Sequence, residues 1–194
     1  MFNGIIYNQG IVKKVSLSKK GKSIFIFSKI SLNKKKIGMS IACDGVCLTL
    51  ISFKKNILEF YLLNETLNRS KFKFIKVGDL INLELPLRYG QDISGHICQG
   101  HVDTASKVIK ISKKGSSKIY EFQVNKKYKK FLIEKASILI NGVSLTISKI
   151  TNKGFKVWLI PHTLKLTNLN DIKKNSIVNI EFDILSKYIK NYFS

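Results

Sequence analysis

The chain repeats itself. Displaced by 97 residues, SIACDGVCLTL (40–50) falls on SILINGVSLTI (137–147), with Gly45 on Gly142, Val46 on Val143, Leu48 on Leu145 and Thr49 on Thr146. The match runs on without a gap: Leu62 falls on Leu159, Thr66 on Thr163, Leu67 on Leu164, Asn82 on Asn179 and Glu84 on Glu181. From Ser40 to Glu84, 13 of 45 positions are identical. The opening segment obeys a displacement of 96 instead, with Gly4-Ile5-Ile6 on Gly100-His101-Val102, so one insertion or deletion separates it from the rest. Two copies of a long unit are too few for a solenoid, which stacks several short ones. They predict two sister domains, 1–88 and 95–183, divided in the polar stretch LRYGQDISG (87–95). Domains this small bury little core alone, so the halves are expected to dock.

Within each half, short apolar runs alternate with turn signals. Ser23–Phe27, Ser40–Cys43, Val46–Ile51, Ile57–Leu63 and Leu80–Leu85 read as strands. Asp44-Gly45 between two apolar runs is a hairpin turn, and Lys54–Asn56 is another. In the second half His101–Ile111, Ile119–Val124, Ser137–Ile140, Val143–Ile150, Phe155–Ile160 and Ile177–Phe182 follow as strands, with a helical turn within Lys126–Ile133. No strand leads into a long amphipathic helix, which argues against a doubly wound sheet. The pattern suggests an all-β chain of two small closed barrels, of six short strands each, since closure removes exposed sheet edges. The end differs: ILSKYIKNYF (184–193) brings Ile184, Leu185, Tyr188, Ile189 and Tyr192 near one side of a helix. Segment 184–194 is read as an oligomerisation helix; the alternative is a helix that caps its own second barrel.

A net charge of +22, from 34 basic and 12 acidic residues, raises the question of a polyanion partner. Almost all of it is lysine, with Arg69 and Arg88 the only arginines, and lysine lacks the fork used in base readout. The lysines are scattered in small groups such as Lys13-Lys14, Lys34 to Lys36 and Lys126-Lys127. Salt-sensitive, nonspecific attraction to nucleic acid is expected. An RNA-binding double barrel is the alternative, and it would need exposed aromatics on the basic face. Phe25, Phe27, Phe60 and Phe74 read instead as core or edge residues. Cys43, Cys47 and Cys98 are odd in number and form no CxxC pair, so neither a disulfide framework nor a closed zinc site is expected. No apolar run is long enough to cross a bilayer, and MFNGIIYNQG (1–10) lacks the pattern of a secretory signal. A cytoplasmic location is the default expectation.

Candidate chemistry comes in pairs across the repeat. Cys47 matches Ser144, Thr49 matches Thr146, and Glu65-Thr66-Leu67 matches His162-Thr163-Leu164. Residues two apart on a strand share a face, so Cys47 with Thr49, and Ser144 with Thr146, present polar groups beside a glycine turn. Such groups can hold the edge of a flat heterocycle; the bland alternative is threonines bonded to backbone and a core cysteine. His96 and His101, five apart, do not share a strand face and are expected to do different work. A histidine near neutral pKa is a candidate proton carrier.

Taken in order, the blocks MFNGII, SIACDGVCLTL, NETLNRSKF, VGDLINLELPL, SGHICQGHVD, EKASILINGVSLTI, LIPHTLKLTNL and VNIEFDILSKYI resemble the riboflavin synthase family, alpha-chain type, over nearly the whole chain. The resemblance implies an all-β fold of two similar six-stranded Greek-key barrels that each bind lumazine, a homotrimer built through the C-terminal helix, and no metal or redox cofactor. It implies a reaction in which two molecules of 6,7-dimethyl-8-ribityllumazine dismutate to riboflavin and a ribitylamino pyrimidinedione, at a site shared by the N-terminal barrel of one subunit and the C-terminal barrel of another. Association with lumazine synthase is a further partner it suggests; a lumazine- or flavin-binding relative without catalysis is the alternative. Carried over by motif, His101, Cys47 and Ser144 are the catalytic candidates. Phe2, Gly4, Ile5, Thr49, Glu65, Thr66, Gly100, Lys135, Thr146, Ile160, His162 and Thr163 are the substrate-binding candidates, with Phe2 expected to cover a facing ring and Lys135 to place charge near a developing anion. The chain departs from the family where Ala136 replaces the glycine of EKGS, where Thr104 follows HVD, and where Asp44 and Asn141 exchange the usual order of Asn and Asp. That exchange is expected to alter charge at the rim of the C-terminal pocket.

Overall fold

A computed structural model describes residues 1–32 and 36–192. Lys34, Lys35 and the last two residues of the expected helix, Phe193 and Ser194, lie outside the described residues. The first six strands are β1 (Asn8–Ser18), β2 (Gly21–Phe27), β3 (Ser40–Cys43), β4 (Val46–Lys54), β5 (Ile57–Leu63) and β6 (Leu80–Glu84). They close into a barrel in the order β1-β2-β5-β4-β3-β6. The next six are β7 (Thr104–Lys114), β8 (Ser117–Gln123), β9 (Ser137–Ile140), β10 (Val143–Ile150), β11 (Gly154–Leu159) and β12 (Ile177–Phe182). They close in the equivalent cyclic order, β7-β8-β11-β10-β9-β12. A short helix follows the fifth strand of each barrel, α1 (Asn64–Arg69) and α2 (Pro161–Leu166), and α3 (Ile184–Tyr192) follows the last strand.

Alternation builds both cores. Ile24 and Ile26 of β2 and Leu58, Phe60 and Leu62 of β5 are fully buried, whereas Phe25 and Phe27 point outward beneath the ammonium groups of Lys14 and Lys13. Each buried side chain of this size contributes about 1.5–3 kcal/mol. The second core is richer in rings, with Tyr120, Phe122 and Phe155 in a stacked series. Phe74 departs from its expected core or edge position: it is 65% exposed.

The register of the repeat locates the length change. β1 and β2 precede β7 and β8 by 96 residues (8 to 104, 21 to 117), while β3 precedes β9 by 97 (40 to 137). The change therefore falls in the connection between the second and third strands. The expected strand at His101–Ile111 begins later, at Thr104, and the helical turn at Lys126–Ile133 is a 3-10 helix, Lys126–Phe131.

The residues ahead of Thr104 are otherwise engaged, because the two barrels exchange the segments that lead into them. Ile6 packs in the core of the second barrel, and its repeat equivalent Val102 packs against the core of the first. The two segments pair antiparallel where they pass, Phe2 N–H to Cys98 O at 2.8 Å and Cys98 N–H to Phe2 O at 2.9 Å. Phe2, Cys98 and the equivalent pair Ala42 and Leu139 form a small buried cluster there. On the same seam the two hairpin turns meet. Asp44-Gly45 and Asn141-Gly142 all have positive φ, as a type I′ turn requires. A Cβ on Gly45 would stand 2.8 Å from the Gly142 nitrogen, and one on Gly142 would stand 2.7 Å from the Gly45 nitrogen.

Candidate active site

The exchanged segments bring two equivalent half-sites together on the outer faces of β4 and β10. In the first, Cys47 is half-buried and Thr49 exposed. The Cys47 N–H donates to Gly100 O at 2.8 Å, so the segment carrying the exposed His101 runs along this strand. Helix α1 leaves β5 beside it with Glu65 and Thr66. Glu65 pairs with Arg69 one turn on, at 2.5 Å, and the Thr66 carbonyl accepts from the Ser70 hydroxyl at 2.6 Å.

The second half-site repeats the plan with other chemistry. Ser144 is half-buried and Thr146 exposed, and the Ser144 N–H donates to Gly4 O at 2.8 Å. Ile5 therefore stands where His101 stands in the first. Ile160 caps the start of α2 and is 57% exposed; His162 is exposed and Thr163 half-buried on the helix, as Glu65 and Thr66 are on α1. Lys135 is exposed and holds a left-handed backbone, φ +70°, at the turn whose N–H donates to Ile147 O on β10. Its equivalent in the first half is Gly38, φ +88°. The family's glycine position, 136, lies one residue beyond, where Ala136 is not left-handed, so alanine there strains nothing.

One contact was not read from the sequence. His96 Nδ1 lies 2.7 Å from the Ser144 hydroxyl. Burial lowers the His96 pKa below the usual imidazole value, and the Asp183 carboxylate pulls the other way. A signal was present in the sequence. Both histidines of the linker follow a glycine, and each glycine presses on a half-site strand: a Cβ on Gly95 would stand 2.9 Å from Ser144 Cβ, and one on Gly100 would stand 2.6 Å from Cys47 Cβ.

Two expectations need correction. Phe2 is 1% exposed in the seam cluster, packed with Ala42, Cys98 and Leu139, and is not presented to a facing ring. Asp44 and Asn141 are not at a pocket rim; both are buried where the barrels meet. Thr104, the other departure, opens β7 half-buried, with its hydroxyl on the Ala105 carbonyl at 3.1 Å. Buried carboxylates also anchor the exchanged segments. Glu84 Oε1 accepts from Asn3 N–H at 2.8 Å and Gly4 N–H at 3.1 Å, and its equivalent Glu181 accepts from Gln99 N–H at 2.7 Å. Burial pushes Glu84 up to about 7 and raises Glu181 as well. Among the described residues no group of three His, Cys, Asp or Glu side chains is arranged to hold a metal ion.

Two barrels, each with a hydroxyl- or thiol-bearing strand face and a following helix, define a tandem ligand-binding protein. The lumazine binding domain family matches one copy to each barrel, residues 3–86 and 99–183. The chain is 36% identical over 198 residues to the riboflavin synthase of Actinobacillus pleuropneumoniae, covering 99% of this chain and 89% of that one. It is 35% identical over 187 residues to that of Escherichia coli (strain K12), covering 94% and 87%. The chain belongs to the riboflavin synthase family. Crystal structures of LumP complexed with 6,7-dimethyl-8-(1'-D-ribityl) lumazine and with riboflavin share its fold, with TM-scores of 0.81 and 0.80 at 23% and 24% identity, covering 94% of this chain and 99% of each.

Proposed function

We propose that the protein is a riboflavin synthase, dismutating two molecules of 6,7-dimethyl-8-ribityllumazine to riboflavin and 5-amino-6-ribitylaminopyrimidinedione. The observation that carries this reading is the pair of half-sites that share a backbone plan and differ in side chains. Two copies of one substrate fit two equivalent scaffolds; unequal roles, donor and acceptor of the four-carbon unit, fit unequal chemistry. The first half-site offers a thiol, a carboxylate and the imidazole of His101. The second offers the Ser144 hydroxyl with His96, the imidazole of His162 and the ammonium of Lys135.

The atoms of two lumazines equal those of the two products, so the net reaction consumes no oxidant, reductant or water. It begins with loss of a proton from the C7 methyl, leaving a carbanion delocalised into the ring. That carbon attacks the second ring, and the four-carbon unit then leaves its original pyrimidine as the new ring closes. Thr49 and Thr146 are suited to hold ring edges, and His101 to move the methyl proton. Holding two flat rings in register supplies several kcal/mol of the barrier without other groups.

The half-sites lie on open barrel faces, so the reading includes a partner subunit that brings the first half-site of one chain against the second of another. Helix α3 is suited to that assembly, a homotrimer. Leu185, Tyr188, Ile189 and Tyr192 form a stripe, each between 58% and 84% exposed, while Ser186 is buried against the barrel. The test is direct. Purified protein incubated with the lumazine alone should form riboflavin at half an equivalent per lumazine consumed. Binding of two lumazines per chain with no product would leave only a binding protein.

A further inference from the structure

The seam between the barrels holds a buried charge that the repeat does not demand. Asp44 is completely buried. Its Oδ1 accepts from the Asn82 N–H at 2.9 Å and from Asn168 Nδ2 at 2.8 Å, and its Oδ2 meets Lys71 Nζ at 2.5 Å. Burial raises the Asp44 pKa, and Lys71 opposes that rise. At the equivalent place in the other half all groups are neutral. Asn141 Oδ1 accepts from the Asn179 N–H at 2.9 Å, and its Nδ2 donates to Asn168 Oδ1 at 3.3 Å. Lys71 and Asn168 are themselves equivalents, 97 apart.

What hangs on these two residues gives the charge a purpose. Lys71 follows α1, the helix of Glu65 and Thr66. Asn168 follows α2, the helix of His162 and Thr163. Asp44 sits in the turn that leads into Cys47 and Thr49. One carboxylate therefore joins the β3–β4 hairpin to the helices of both half-sites. The remaining bonds set these partners in place: Lys71 N–H donates to Asn179 Oδ1 at 2.7 Å, and Asn168 N–H to Asn82 Oδ1 at 2.8 Å. Asn168 Nδ2 also reaches Leu80 O at 2.8 Å, so its amide is fixed with the donor toward Asp44.

We propose that Asp44, through Lys71 and Asn168, is a positioning residue for both half-sites, holding α1 and α2 at a set distance from the hairpin that carries Cys47 and Thr49. An asparagine at 44 could keep its oxygen toward Asn82 and Asn168. Its amide nitrogen would then face the Lys71 ammonium, donor against donor, and one of them would have to move. Lys71 is the freer, because its side chain reaches partly to solvent while that of Asp44 does not. Its departure would remove the tie between the hairpin and the chain that follows α1, leaving that chain held by the Lys71 N–H bond to Asn179.

The proposal rests on reading the two strand faces as substrate half-sites, and its test reads binding apart from turnover. Fluorescence titration with 6,7-dimethyl-8-ribityllumazine measures each half-site separately when the other is blocked by Thr146→Arg or Thr49→Arg. Lys71→Gln, which removes the charge and leaves the bond between Asp44 and Asn168 in place, should weaken the first half-site about tenfold and leave the second unchanged. Asp44→Asn should weaken both. Asp44→Asn with Lys71→Asn copies the neutral arrangement of Asn141 and Asn168, and should restore both to near wild type. Equal weakening of both half-sites by Lys71→Gln would overturn the proposal, as would wild-type binding in that variant. Failure of the double variant to recover would do the same. Should Asp44→Asn not fold, Lys71→Gln alone decides. Failure of the wild type to make riboflavin would instead count against the assigned reaction and leave these binding comparisons intact.

Discussion

Replacing Glu84 by glutamine should remove a pH dependence of stability that the fold itself creates. Glu84 is 8% exposed, and its oxygens take the N–H groups of Asn3 and Gly4. Burial nonetheless outweighs those bonds and lifts its pKa from 4.5 to about 7. A carboxyl with a raised folded pKa binds more protons folded than unfolded between those two values. Stability therefore falls as pH rises through that window. The shift of 2.5 units (7 − 4.5), at about 1.4 kcal/mol per unit, amounts to about 3 kcal/mol in total. Of this, about 2.5 kcal/mol falls between pH 5 and 8. Glu84→Gln keeps an oxygen for Asn3 and Gly4 and cannot ionise. Urea unfolding of both proteins across that range, followed by the fluorescence of Trp158, the one tryptophan, gives the comparison. The variant should gain on the wild type by about that amount as pH rises. A difference that stays constant from pH 5 to 8 would refute the argument, since Glu181 titrates equally in both.

Three further expectations follow from the same geometry. Gly45→Ala meets both a left-handed backbone and a Cβ 2.8 Å from Gly142, whereas Gly38→Ala meets only the backbone strain; thermal melts should show the first to be costlier than the roughly 1–3 kcal/mol expected of the second. Because burial lowers the His96 pKa, its ring proton resonances should titrate with a midpoint below 6.5, and its contribution to stability should be lost as pH falls through that range, not gained. Aspartate at Leu185 and Tyr188 together should convert the proposed trimer to single chains by light scattering and abolish riboflavin formation while each chain stays folded; a trimer that persists would remove α3 from the proposed interface.

The duplication, every strand but β1 and several boundaries could be read directly, because glycine turns and alternating apolar positions act locally; the order in which the strands pair could not, because it is set by contacts distant in sequence. Ser40–Cys43, Ile57–Leu63 and Ser137–Ile140 end where the pattern ends. Helices α1 and α2 were not read as helices, since six residues carry too little periodicity; they were seen only as the motifs NETLNR and PHTLKL. The exchange of Ile6 and Val102 was visible only as a displacement of 96, for nothing in an apolar residue tells which of two cores will take it. His96 was seen and not placed, because its partner Ser144 is 48 positions away and depends on the barrels' docking. Asp44 suggested a charge near a pocket; only the seam shows that it faces inward to Lys71.

The exchange of leading segments also sets an order of events during synthesis. Residues 2–6 leave the ribosome long before β7 to β12 exist, yet Ile6 belongs to the core those strands enclose. The first barrel in turn waits for Val102, made after its own last strand is complete. Neither half can finish while the chain is half made. The early segment must stay unspent, apolar and exposed, until β12 closes the second barrel. A pause in translation between residues 84 and 104 would therefore hold the nascent chain at its stickiest, and this is where a chaperone would have most to do.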